Sequence, residues 1–103
     1  MAQATSYEIV TIKYEHNKLT VDKPLVELKA SEDKGVQWEK GADVDKFDVC
    51  FSKSPFDDVY YNQDKPRSSA PNRDRLPKDL LVEYYKYSVQ VGPEILDPGI
   101  IIR

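Results

Sequence analysis

From Tyr85 to Val91 the side chains alternate without a break. Tyr85, Tyr87, Val89 and Val91 fall on one side, and Lys86, Ser88 and Gln90 on the other. A period of two, carried by aromatic and β-branched residues, marks a half-buried strand and excludes an amphipathic helix, whose apolar positions recur every three or four residues. Gly92 to Gly99 then reads as a turn-rich connection with Pro93 and Pro98 inside it. Ile100 to Ile102 reads as a closing strand, apolar enough to be buried on both faces. An antiparallel pair closing a β-sandwich follows.

The rest of the chain agrees in kind. Tyr7 to Tyr14 reads as a first strand with Val10, Ile12 and Tyr14 on one face, followed by a polar turn over Glu15 to Lys18. Leu19 to Val21 is a short strand ended near Pro24, because proline offers no ladder donor. Leu25 to Lys29 places Val26 and Leu28 inward, Val36 to Glu39 is anchored by Trp38, and Phe47 to Ser52 alternates Phe47, Val49 and Phe51 against Asp48, Cys50 and Ser52. The fold class expected is all-β: a Greek-key sandwich of about seven strands in a single domain over 1–103, with residues 1–6 disordered.

The segment 54–79 breaks the pattern. It contains Pro55, Pro66, Pro71 and Pro77 and sustains no periodicity, beyond a short helical turn or edge strand within Asp57 to Gln63. A loop of this length in a compact domain is uncommon and often functional. Its second part is net basic, with Lys65, Arg67, Arg73, Arg75 and Lys78 against Asp64, Asp74 and Asp79, whereas Gly41 to Tyr61 is net acidic.

Composition narrows the function classes. With 40% apolar and 11% aromatic residues in 103, the chain can build a core. A net charge of −3 argues against nucleic-acid binding, which asks for a basic face. No apolar run is long enough to span a bilayer, so membrane insertion is not expected. Cys50 is the only cysteine, which excludes an internal disulfide and leaves the redox compartment open. The first residues lack the basic and apolar regions of a signal peptide. Localisation stays open between the cytoplasm and export after removal of a leader. No glycosylation sequon follows Asn17, Asn62 or Asn72.

The order and spacing of these segments resemble a cupredoxin, the plastocyanin-like copper sandwich. Lys34-Gly35-Val36-Gln37-Trp38 looks like the family's turn leading into an aromatic-bearing strand. Phe47-Asp48-Val49-Cys50-Phe51 looks like the strand headed by a copper-binding histidine, with Phe47 in its place. Tyr85-Lys86-Tyr87-Ser88-Val89 looks like the aromatic-x-aromatic-x-Cys strand, with Val89 at the cysteine. Gly92 to Gly99 stands where the ligand loop would be, without His or Met, and Ile100 to Ile102 where the last strand would be. The resemblance implies a cupredoxin-like sandwich with a degenerate copper site at Phe47 and Val89, and no cofactor.

Ligand counting gives the same result independently. A blue-copper centre takes two imidazoles, a thiolate and usually a thioether. The chain has one histidine, His16, in a polar turn. Cys50 lies on the face opposite Phe47, and Met1 is the first residue. Asp57, Asp58, Asn62 and Asp64 offer oxygen ligands, but at no spacing that a calcium loop requires. Cys50 reads as a small structural residue, with a reactive thiol as the alternative. No catalytic constellation or phosphate loop appears.

Two binding surfaces are expected. One is an apolar end formed by Pro93, Ile95, Leu96 and Pro98 beside Phe47, where the family's partners dock. The other is the basic arm with Lys65, Arg67, Arg73 and Arg75, suited to an acidic partner or, by charge and stacking, to a nucleic acid or other polyanion. The expected role is a non-catalytic protein-interaction or accessory module of unknown oligomeric state. The alternative is an electron or copper carrier with an unusual site, His16 being shared between two chains.

Overall fold

The computed structural model describes residues 4–103. Among the described residues the chain forms nine strands: β1 (Ser6–Glu15), β2 (Lys18–Val21), β3 (Leu25–Leu28), β4 (Lys34–Lys40), β5 (Asp48–Phe51), β6 (Tyr60–Asn62), β7 (Glu83–Val91), β8 (Glu94–Leu96) and β9 (Gly99–Ile102). The only helical piece among these residues is a 3-10 turn at Arg73–Arg75. They make two mixed sheets, one ordered β2-β1-β4 and the other β3-β9-β7-β5-β6, with β8 also paired to β7. Two pairings are parallel, β1 with β4 and β3 with β9. The chain is an all-β sandwich.

Two short strands add to the seven: β6 takes the edge-strand alternative within Asp57 to Gln63, and β8 lies in what reads as a turn-rich connection. β6 and β8 have three residues each, too short to show a period, and are held in the extended form by β5 and β7. β1 starts at Ser6, paired with Lys34, and the Thr5 amide donates to Asp33 O at 2.7 Å. Thr5 and Ser6 therefore belong to the folded unit rather than to a disordered start. Residues 1–3 of that expectation lie outside the described residues.

Local chemistry explains the connections. β1 and β2 are joined by His16 and Asn17, both at positive φ (52° and 59°), with Glu15 opposite Lys18. A two-residue hairpin whose central residues are both left-handed matches the twist of its strands, and asparagine tolerates that conformation. The β1–β2 ladder ends where Asp22 Oδ1 accepts from the Thr11 amide at 2.7 Å. Beyond Pro24 the chain resumes as β3 in the other sheet.

The core lies between the sheets. Trp38 projects from β4 in the smaller sheet onto Tyr61 of β6, Tyr87 of β7 and Phe51 of β5, at ring-centroid distances of 4.9, 5.6 and 6.1 Å. One side chain thus bridges to three strands of the opposite layer. Val10, Ile12, Val26, Leu28, Val49, Tyr85, Ile100 and Ile102 are buried around it, on the faces that alternation assigns. The closing strand departs from expectation at Ile101, which is only partly buried on the outer face.

The long segment 54–79 is a folded strap. Phe56 is fully buried against Phe51, with ring centroids 5.9 Å apart. Pro66 O accepts from the Trp38 amide at 2.9 Å, and the Ser68 amide donates to Val36 O at 2.8 Å. Ser68 Oγ accepts from the Val36 amide, also at 2.8 Å. Residues 66–68 therefore cover the open edge of β4, a way of hiding an unpaired ladder. Gly35 permits the close approach: a Cβ there would stand 2.7 Å from Ser69 O.

Candidate functional site

Phe47 and Val89 come together. Val49 lies directly across from Val89 in the β5–β7 ladder, and Phe47 is two residues before Val49. With the register continued one residue beyond the ladder, which begins at Asp48, they are diagonal neighbours on the inward face. Both are buried, Phe47 at 1% exposure and Val89 at 0%. On its other side Val89 meets Leu96 of β8, while Val49 faces Tyr61 of β6. The Phe47 amide donates to Gln63 Oε1 at 3.2 Å, which fixes the entry to β5. The locality is hydrocarbon and aromatic ring throughout.

The apolar end is a hairpin rather than a uniform patch. β7 turns back through Gly92, whose positive φ of 57° suits glycine, into β8. Ile95 is 61% exposed and Pro93 is exposed, whereas Leu96 packs against the core and Pro98 is buried. The Pro98 carbonyl accepts from the Tyr87 amide at 3.1 Å. Only Pro93 and Ile95 of the four offer side chains to a partner. Glu94, between them, has Oε2 buried without a hydrogen-bond partner, and its carboxylate beside Tyr14 pushes that phenol up.

The basic arm is dispersed. Lys65 Nζ pairs with Asp58 Oδ2 at 2.7 Å. Arg67 donates to Gln37 Oε1 at 3.1 Å and lies 5.5 Å from the centre of the Tyr7 ring. Arg75 donates to Asp57 O at 3.0 Å. Arg67 ties the strap to β4 and β1, whereas Lys65 and Arg75 brace the strap internally. Arg73 is separate from them, on the rim of a hollow it shares with Lys78 and Arg103.

The remaining candidates fall on the surface. Cys50 is exposed on the outer face of β5, beside a hollow of about 400 Å³ that Lys86, Ser88 and Asp97 also line. Partial desolvation, with the Asp48 carboxylate nearby, pushes its thiol up and away from the reactive thiolate. Tyr60 donates to Asp48 on the same face, which raises its phenol. His16 is exposed in its hairpin, and Met1 lies outside the described residues. Three of the four oxygen ligands considered for calcium have other tasks: Asp57 accepts from Asn72, Asp58 pairs with Lys65, and Asn62 caps its own turn. Among the described residues no three of His, Cys, Asp and Glu are gathered as metal ligands would be. No helix among them is long and apolar enough to cross a membrane.

Two features escaped the sequence. One is the hollow at Arg73, whose apolar lining of Leu76, Pro77 and Leu80 lies inside the segment without periodicity. The other is Tyr84, 54% exposed, whose ring lies over Gly99 on the outer face so closely that a Cβ there would collide with it. A glycine placed diagonally across the ladder from an outward tyrosine is the signal, but it needs the register Tyr84↔Ile101 and Lys86↔Gly99 to be known.

No protein family matches the chain, and no curated protein matches it.

Proposed function

We propose that this chain is a copper-free, cupredoxin-like Greek-key module that acts without catalysis, by binding another protein. The observation that supports the reading is the diagonal placement of Phe47 and Val89 on one buried face. These are the two positions the resemblance equates with a copper-binding histidine and cysteine, and their proximity is what that correspondence requires. Phenyl and isopropyl groups fill the space, each burial stabilising by about 1.5–3 kcal/mol. With one histidine in the chain, no single copy supplies two imidazoles.

The proposed docking element is the β7–β8 hairpin tip, because Ile95 projects there at 61% exposure beside Pro93 on a hairpin anchored by Leu96 and Pro98. Titration with Cu(II) and Cu(I) tests the first half: no stoichiometric binding and no visible charge-transfer band are expected, and a strong band would end the reading. Ile95→Asp tests the second, since its side chain is outward. Loss of partners recovered with the parent protein, at an unchanged melting temperature, is expected. Undiminished recovery would remove the hairpin from the interface.

A further inference from the structure

At the end of β7 remote from the β8 hairpin, the strap passes over the ends of β3 and β9. Here Arg103 is fixed by main-chain bonds, its amide to Leu28 O at 3.0 Å and its carbonyl from the Ala30 amide at 2.7 Å. The strap contributes Leu76 and Leu80, which pack on the core yet remain half-buried. Together they bound a hollow of about 400 Å³, within the range of roughly 300–1,000 Å³ typical of small-ligand sites.

Its side-chain charge is one-sided. Arg73, Lys78 and Arg103 line it, and no Asp or Glu side chain does. Arg103 Nη2 is tied to Glu27 at 2.7 Å, but among the described residues neither Arg73 nor Lys78 forms an ion pair. The turn that carries Arg73 is held firmly. Asn72 Oδ1 accepts from the Asp74 amide at 3.0 Å, Asn72 Nδ2 donates to Asp57 at 2.7 Å, and the Asn72 amide donates to Pro55 O at 2.7 Å. A neighbouring hollow that shares Ala30, Ser31 and Arg73 with it is lined by Asp33, Asp57 and Asp74. An anion is thus drawn to the hollow that holds Lys78 rather than to its acidic neighbour.

We propose that the hollow binds a small amphiphilic carboxylate, with its apolar body against Leu76, Pro77 and Leu80 and its carboxylate between Arg73 and Lys78. Two cations without partners beside apolar surface that is left half-open suit a ligand with both characters. Either character alone would leave part of the site unused. A carboxylate gains charge-assisted hydrogen bonds there, and a fixed turn lowers the ordering cost of forming them.

The test is a titration of the ¹⁵N-labelled full chain with octanoate, followed by amide chemical shifts. Saturable shifts centred on residues 73–80 and 103 are expected. Acetate (same head, no tail) and octylammonium (same tail, opposite charge) should bind at least tenfold more weakly. The double variant Arg73→Glu, Lys78→Glu should lose at least tenfold in affinity at an unchanged melting temperature. If the double variant does not fold, Lys78→Gln alone should lose threefold or more. Absence of saturation, shifts centred elsewhere, octylammonium binding as well as octanoate, or variants binding like the parent would each overturn the proposal.

Discussion

Tyr87 and Tyr85 stand two residues apart on β7, and burial acts on both phenols. Burial pushes Tyr87 up to about 12, from about 10 in an unfolded chain. Between those values the unfolded state releases a proton that the folded state keeps. The unfolded state therefore binds fewer protons, and stability falls as pH rises. Below about pH 10 the contribution is fully present. Tyr61 is raised by burial in the same direction. Stability measured by urea unfolding should thus be level towards pH 10 and decline above it, with phenolate absorbance from the buried rings appearing only as the sandwich opens. Phenolate absorbance ahead of unfolding would contradict this. Tyr85 has a buried hydroxyl with no hydrogen-bond partner, and such a group costs desolvation without return. Tyr85→Phe should therefore be neutral or stabilising by up to about 1 kcal/mol in the same assay; a clear loss would mean that the hydroxyl is satisfied. At this scale the sequence was informative. Tyr85, Tyr87 and Val89 were assigned inward by alternation alone, because a pleated strand leaves each side chain only two directions. Leu96 and Ile95 resisted that treatment, since a three-residue strand shows no period.

The strap is the element that periodicity could not disclose. Its order comes from contacts distant in sequence: Ser68 with Val36, Pro66 with Trp38, Phe56 with Phe51. No local pattern encodes such pairings, so its prolines and charges show no strand or helix period. Nor does the sequence disclose what its cations meet: Asp58 for Lys65, the Gln37 side-chain oxygen for Arg67, the Asp57 carbonyl for Arg75. Ser68 is the point where this element can be tested. Its Oγ accepts from the buried Val36 amide at 2.8 Å, and Ser68→Ala would orphan that donor at a cost of about 1–3 kcal/mol. We expect that loss in urea unfolding, with faster hydrogen exchange at the Trp38 amide and earlier proteolytic cleavage after Arg67 or Arg73. Exchange and cleavage like the parent's would mean that the strap is held by Phe56 instead.

At the scale of the whole molecule, the two sheets meet across a core of aliphatic and aromatic side chains. The rings around Trp38 and the run Leu96, Val89, Val49, Tyr61 cross the sandwich from the hairpin to the strap side. A domain held by a metal gains stability in proportion to the logarithm of free metal over its dissociation constant, and loses it to a chelator. On the copper-free reading proposed above no such term contributes, so EDTA should leave the melting temperature unchanged. The stronger form of the prediction restores the residues the resemblance says are missing. Phe47→His with Val89→Cys places a polar ring and a thiol in a region fully withdrawn from water. Loss of packing, together with a buried imidazole lacking an assured partner, should cost about 2–5 kcal/mol in the absence of metal. If the two positions are neighbours as the β5–β7 register places them, Cu(I) or Zn(II) should recover part of that loss in the double variant and none in either single variant. Recovery equal in the singles would mean that the two side chains do not share one site.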